Sequence, residues 1–293
     1  MSPNQEWENI FKGNAFVNQY QTGERVTGTF ARPLIEQSRL IDYTKSNPDK
    51  PLVVLDNACG TGVVSSILHH ELDDSVKRNW RLTCGDISEG MLEWTRHRMQ
   101  EEDWQNAETK TVDMLKTGLP NAHFTHVFTA FAYMTLPDSS AAFDETTRIL
   151  QPGGTIAFST WIEPGWLSIV KKAVETIPGN LPFPTHQEFL SVMRNGEWHS
   201  VSWIESQLKQ RGFEDINVQA DFKKISLRVT QLVDMTMVMF PMVAKFFWSE
   251  KQREEDQSKV RPALTKYLED IYGKDGDVPM DWTAILSTAR KPY

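Results

Sequence analysis

The chain has 293 residues, a length that suits one α/β domain carrying insertions. Its formal net charge is -8 and no stripe of lysine and arginine stands out, so nucleic acid is not expected as a partner. Two cysteines are too few for a disulfide framework or a cysteine-rich zinc site, and they suit a reducing, cytoplasmic compartment.

The sequence also argues against a membrane location. The N-terminal residues are polar and acidic where a signal peptide requires a basic and then an apolar stretch. The most apolar run, 229–247, is interrupted by Asp234, Pro241 and Lys245, and no run approaches the ~18 apolar residues that span a bilayer. We therefore expect no membrane partner, and a chain that is monomeric or only weakly associated.

The N-terminal segment, residues 5–45, is predicted to be helical. Trp7, Ile10 and Phe11 fall at i, i+3 and i+4, which is the spacing of one helix face. The same pattern continues through Phe16, Val17 and Tyr20. Two interpretations stay open: residues 1–48 form a helix packed on the domain, or they form a lid over a ligand site.

Strands and helices then alternate along the chain. Short apolar runs predict strands at 51–56, 80–86, 108–112, 126–132 and 155–161, with a turn at 151–154 before the fifth. Helices are predicted at 63–72, from an N-cap at Ser88, and after Asp138. This alternation predicts a doubly wound parallel sheet with the carboxyl ends of its strands along one edge, where ligands bind.

The last third of the chain is predicted to complete this α/β domain, which occupies 49–293. Two more strands are expected at 216–218 and 284–288, and helical insertions near 162–210 and 228–272. The result is a Rossmann-like sheet of seven strands with helical insertions around the ligand edge.

A glycine-rich turn follows the first strand and predicts a ligand cradle. Gly60 and Gly62 permit positive φ angles and close approach of the backbone to a ligand. The first three strands end in Asp56, Asp86 and Asp113. Asp86 is placed to accept from two ribose hydroxyls, and Asp113 from an adenine amine.

The turn has two other interpretations. A dinucleotide site would require a third glycine at the position of Ser65, and Asp56 would repel a pyrophosphate but suit a ligand with a free amino group. Alternatively, the three acids only cap strand ends.

The motifs themselves resemble known families. Asp56-Asn-Ala-Cys-Gly-Thr-Gly62, Cys84-Gly-Asp-Ile-Ser-Glu-Gly-Met91 and Leu150-Gln-Pro-Gly-Gly154 resemble class I S-adenosylmethionine-dependent methyltransferases. Segments 14–20, 106–110 and 175–185 resemble the fungal dithiol S-methyltransferases of gliotoxin metabolism, and that similarity covers nearly the whole chain.

This resemblance implies a cofactor, a fold and a substrate. The cofactor is S-adenosylmethionine, the fold is the seven-stranded methyltransferase fold, and the small-molecule substrate is the thiols of a reduced epidithiodiketopiperazine. Cofactor contacts are expected at Tyr20, Asp56, Ala58, Gly60, Gly62, Asp86, Ile87, Met91, Asp113, Met114 and Ala130.

Substrate contacts are expected from aromatic residues that follow strands four and five or lie in the N-terminal helix. These are Phe11, Phe16, Phe131, Tyr133, Trp161 and Trp166. A thiol needs no strong base, so no catalytic residue and no metal are assigned, although His186 and His199 lie in the first insertion. Methylation of oxygen or nitrogen, and a regulatory protein that binds the cofactor without turnover, remain open alternatives.

Overall fold

The computed structural model describes residues 14–192 and 196–293, with side chains described from residue 22 onward. Its centre is one seven-stranded sheet in the order β3-β2-β1-β4-β5-β7-β6. The strands are β1 (Val53–Asn57), β2 (Arg81–Asp86), β3 (Ala107–Thr111), β4 (Phe124–Ala130), β5 (Leu150–Glu163), β6 (Glu214–Arg228) and β7 (Asp277–Arg290). The predicted seven-stranded α/β fold is thereby confirmed.

Helices cover both faces of this sheet. They are α1 (Asn14–Gln37), α2 (Leu40–Ser46), α3 (Val63–Glu71), α4 (Asp74–Lys77), α5 (Glu89–Glu101), α6 (Ser139–Ile149), α7 (Trp166–Val174), α8 (His186–Ser191), α9 (Val201–Gln210), α10 (Val229–Phe247), α11 (Glu250–Asp256) and α12 (Val260–Tyr272). Two hydrophobic clusters result, because successive strand residues point to opposite faces. Val54 belongs to one cluster, and its neighbours Val53 and Leu55 to the other.

The sheet is mixed, because the two late strands do not continue the parallel pattern predicted for the first five. Strands β1 to β5 pair in parallel, whereas β7 runs antiparallel to both β5 and β6. Both late strands are much longer than predicted. β6 alternates exposed and half-buried residues over most of its length, as an edge strand can.

Two local predictions were also wrong. The turn at 151–154 lies inside β5, because Gly153 and Gly154 exchange backbone hydrogen bonds with Lys291 after β7, at 2.9 and 2.8 Å. The N-terminal helix is not continuous: α1 ends at Gln37, and Arg39, with a φ of 56°, precedes α2. The predicted helical residues 5–13 lie outside the described part of the chain.

Helices occupy both predicted insertions, α7 to α9 in the first and α10 to α12 in the second. Among the described helices, α10 has the length and hydropathy to cross a membrane, but half of its apolar window is buried in the domain. It packs against α1 and α12, as a core helix does. The insertions and α1 meet above the carboxyl ends of the parallel strands.

Candidate active site

The turn between β1 and α3 forms one wall of a cavity of about 280 Å³ at this edge of the sheet. Ala58 and Gly60 line the cavity, and both have a φ of 57°. The amide of Cys59 donates to the carbonyl of Gly85, 2.9 Å away, and so attaches the turn to β2. Gly62 has a φ of 79° and lies behind the wall, where an added Cβ would come within 3.1 Å of Thr95.

Asp86 is the central carboxylate of this cradle. Its Oδ2 accepts a 2.9 Å hydrogen bond from the amide of Gly60, and its Oδ1 accepts a 2.8 Å bond from Ser88. Burial raises the pKa of Asp86, while these backbone hydrogen bonds oppose the shift. Asp86 also lines the cavity, and each carboxylate oxygen can accept more than one hydrogen bond, so it can receive ribose hydroxyls while holding the turn.

Asp56 has a different position from the one expected. It is fully buried, it is absent from the cavity wall, and its Oδ2 accepts from both the amide and the hydroxyl of Ser65, at 3.2 and 2.7 Å. It thus caps α3, whose own N-cap, Gly62, has no side chain. Burial raises its pKa to about 6, and Oδ1 has no hydrogen-bond partner among the described residues. A contact of Asp56 with a ligand amino group stays a prediction.

The residues after β2 and β3 form an apolar slot beside Asp86. Ile87 is 37% exposed although it is a large apolar side chain, and with Met91, Val112 and Met114 it faces the cavity. Asp113 stands at the end of this slot, exposed, with its Oδ1 accepting from the amide of Leu115. An apolar slot with carboxylates at its rim suits a nucleoside, so these side chains fit the group that the sequence implies.

The opposite half of the cavity is apolar and aromatic. Phe131 and Trp161 stack with ring centroids 4.0 Å apart, and Phe30 meets both edge-on. Phe131 has a φ of 56°, an uncommon conformation for a bulky residue, which here directs the ring out of β4 toward Trp161. The stack faces further lining residues: Met134, Leu136, Pro137, Pro164, Trp166, Phe189, Leu190, Met235, Val238, Met239 and Trp282.

Most predicted site residues meet in this cavity. Ala58, Gly60, Asp86, Ile87, Met91, Asp113, Met114, Ala130, Phe131, Trp161 and Trp166 all line it. The exceptions, besides Asp56 and Gly62, fall into two groups. Tyr133 points away: it is fully buried, its hydroxyl bonds Thr146 at 2.7 Å, and burial raises its pKa to about 12. Phe11 and the side chains of Phe16 and Tyr20 lie outside the described residues.

The lining contributed by several elements was not singled out from the sequence. Gly23, Val26 and Thr27 of α1 face the cavity, as do Phe189 and Leu190 of α8, Met235 and Met239 of α10, and Trp282 of β7. A methionine stripe at helical spacing does not show which neighbour it faces. Neither insertion histidine lines the cavity: His199 borders a small pocket behind Trp161, and His186 bonds Ser168.

Comparison with known proteins agrees with this geometry. A family of methyltransferase domains matches residues 54–154. The chain is 42% identical to the methyltransferase tpcH of Aspergillus fumigatus over 97% of this chain and 99% of that protein. It is also 42% identical to acetylaranotin bis-thiomethyltransferase of Aspergillus terreus, over 98% of each.

Solved structures show the same fold. One is phosphoethanolamine N-methyltransferase 2 of Haemonchus contortus in complex with S-adenosyl-L-methionine, with a TM-score of 0.52 and 16% identity over 97% of this chain and 60% of that one. Fold and site together define a class I methyltransferase whose cofactor is S-adenosylmethionine. Within that class, the chain belongs to the fungal methyltransferase family that includes its two Aspergillus relatives.

Proposed function

We propose that this enzyme is an S-methyltransferase that methylates thiols of a small fungal secondary metabolite, a reduced epidithiodiketopiperazine. The observation that carries the proposal is the chemistry of the acceptor half of the cavity. Among the described lining residues there is no histidine, lysine, tyrosine, cysteine or glutamate, and the two carboxylates, Asp86 and Asp113, lie at the cofactor end.

A wall without a base favours an acceptor that is nucleophilic by itself. Bound S-adenosylmethionine supplies an electrophilic methyl group on a sulfonium sulfur. A thiol has a pKa of about 8.5, so a useful fraction is thiolate near neutral pH, whereas a hydroxyl needs a base to remove its proton. The apolar wall also excludes water, which would otherwise solvate and weaken the thiolate.

Positioning is then the main task of the protein. The stacked rings of Phe131 and Trp161 provide a flat wall for a cyclic dipeptide or an aromatic ring. Gly23, Val26 and Thr27 of α1 add to the lining of the same cavity. Holding the acceptor sulfur in line with the methyl carbon can supply much of the rate enhancement. The likeness to a bis-thiomethyltransferase across the whole chain further supports a dithiol.

The test is mass spectrometry of the purified enzyme with S-adenosylmethionine and reduced gliotoxin. We expect one or two methyl groups on sulfur, and none on the matched compound in which both thiols are replaced by hydroxyls. Methylation of the hydroxyl compound at a comparable rate, or cofactor binding without any product from the dithiol, would refute the proposal. The proposal includes a cytoplasmic, monomeric enzyme that acts on no nucleic acid or membrane.

The alternative acceptors are oxygen and nitrogen of another metabolite. The observation that favours them is a small pocket next to the main cavity. It is lined by His199 together with Met134, Trp161 and Trp198. A substrate large enough to displace Leu190 would bring its hydroxyl toward that imidazole. His199→Ala should leave thiol methylation unchanged, whereas a large loss would favour a histidine-assisted reaction.

A further inference from the structure

A cluster of ligating side chains lies outside the cavity, at the C-terminal ends of two helices. His69 and His70 occupy the last turn of α3, and Glu102 immediately follows α5. One ligating atom from each of the three residues lies within 4.8 Å of the others. His70 Nε2 is 3.3 Å from a carboxylate oxygen of Glu102. None of these residues contributes to the cofactor or acceptor half of the cavity.

The surroundings of Glu102 hold its carboxylate in a fixed orientation. Ser66 donates to both carboxylate oxygens, at 2.8 and 3.1 Å, and Trp104 Nε1 donates to Oε2 at 2.8 Å. In metal sites, outer hydrogen bonds of this kind orient the ligating carboxylate. Glu102 is thus presented toward the two imidazoles rather than extended into solvent.

A second observation points to a ligand independently of the clustering. His69 is only 8% exposed, and its buried Nδ1 has no hydrogen-bond partner among the described residues. Its ring stacks on Trp104, with centroids 5.9 Å apart. A buried ring nitrogen without a partner costs free energy, and buried polar atoms of this kind call for an explanation such as an ion or water.

We propose that His69, His70 and Glu102 form a binding site for a divalent transition metal such as Zn²⁺. Two imidazoles and one carboxylate are the donor set of three-ligand zinc sites, with a fourth position left for water. The nearby charges select the same class of ion. Arg98 lies 3.8 Å from Glu102, and Lys77 donates to the carbonyl of His69, so an ion held mainly by charge, such as Ca²⁺, is disfavoured.

The site would act as a clip between the two helices that carry the cofactor cradle. Helix α3 begins at the glycine turn, and α5 begins next to Asp86, while the three ligands lie at the far ends of these helices. A metal that joins these ends would stabilise the folded state without touching the cofactor, because only the folded chain brings the ligands together.

Isothermal titration of Zn²⁺ into the untagged full-length chain, stripped of metal by a chelator, tests the proposal. We expect one ion per chain and a rise in Tm with Zn²⁺ but not with Ca²⁺. His70→Asn and Glu102→Gln should each weaken binding by at least about tenfold. His186→Asn, which changes a half-buried histidine outside the cluster, should leave binding unchanged.

Two results would overturn the assignment. One is the absence of a one-to-one binding isotherm in the wild-type chain. The other is equal Zn²⁺ affinity in wild type, His70→Asn and Glu102→Gln, which would place any bound ion elsewhere. Because the His70 side chain is exposed, we expect His70→Asn to fold normally. The Tm of each metal-free variant checks this directly.

Discussion

The two halves of the cavity differ in how their residues are held and what they offer a ligand. The cofactor half is built from backbone turns, the buried carboxylate of Asp86 and the exposed one of Asp113, with Asp86 hydrogen-bonded to the turn. The acceptor half is built from packed rings and thioethers of the segment after β4 and of β5, α7, α8, α10 and β7. We therefore expect the cofactor to be recognised by fixed polar contacts, and the acceptor mainly by the shape of the apolar wall.

The largest effect should come from removing the charge of the cofactor half. Asp86→Asn keeps the shape but weakens both the ribose contacts and the bonds to Gly60 and Ser88. We expect S-adenosylmethionine affinity to fall by roughly a thousandfold, which corresponds to about 4 kcal/mol. Calorimetric titration measures it. Asp113→Asn, at an exposed carboxylate, is the matched control, with an expected loss of about tenfold or less; equal losses would refute the special role of Asp86.

The next largest effect is on the free energy of unfolding, and it distinguishes folding from cofactor binding. The pKa of Asp56 is raised from 3.8 to about 6, so the folded state binds this proton more tightly than the unfolded state. Its contribution to stability is therefore unfavourable above pH 6 and disappears below about pH 4, a difference of about 3 kcal/mol. Asp56→Asn should raise the free energy of unfolding at about pH 7.5 by up to that amount and change it little at about pH 4.

Urea unfolding of the cofactor-free protein at both pH values checks this expectation. The cofactor affinity of Asp56→Asn also tests whether Asp56 belongs to the cofactor half, because the structure places this residue behind the cavity wall. Unchanged cofactor affinity would make Asp56 a cap of α3. A loss of roughly a hundredfold would mean that the carboxylate binds the amino group of the cofactor.

A third substitution addresses the acceptor half. Trp161→Leu removes the stacking partner of Phe131 and opens the wall. We expect kcat/KM for the dithiol to fall by roughly 10- to 100-fold, or about 1–3 kcal/mol, with cofactor affinity within about twofold. Trp94→Leu, at a partly buried tryptophan of α5 outside the cavity, is the control. If the loss appears instead in cofactor affinity, the division into halves is wrong.

The smallest effect concerns α1. Glu24 on this helix accepts from Thr61 of the glycine turn and from Arg98, at 2.5 and 2.7 Å. Glu24→Gln should weaken cofactor binding by about fivefold, near 1 kcal/mol for a partly exposed pair. Glu71→Gln breaks the Arg32–Glu71 pair, which also anchors α1 but lies away from the turn. Equal effects of the two variants would show that Glu24 acts only by anchoring the helix.

The sequence predicted the cofactor half more completely than the acceptor half, for a physical reason. The positions of turn glycines and strand-end acids follow from the local sequence, so their spacing was enough to predict Gly60 and Asp86 as site residues. The acceptor wall depends on which face of α10 and β7 turns inward, and periodicity does not specify that for Met239 or Trp282. Tyr133 was predicted at the acceptor wall, but Phe131, with its positive φ, faces the cavity instead. Tyr133 is buried in the core.

The proposal that the thiol supplies its own nucleophile is tested most directly by the pH dependence of kcat/KM for a series of thiols with different pKa values. No described lining residue of the acceptor half is a base, so we expect the acidic limb of each profile to move with the pKa of the thiol itself. In the same series, Trp161→Leu should leave the pH midpoint of each acidic limb unchanged and lower only the plateau value of kcat/KM. If the acidic limb has the same pH midpoint for every thiol, a base on the protein is titrating. That result would contradict a site in which the substrate supplies its own nucleophile.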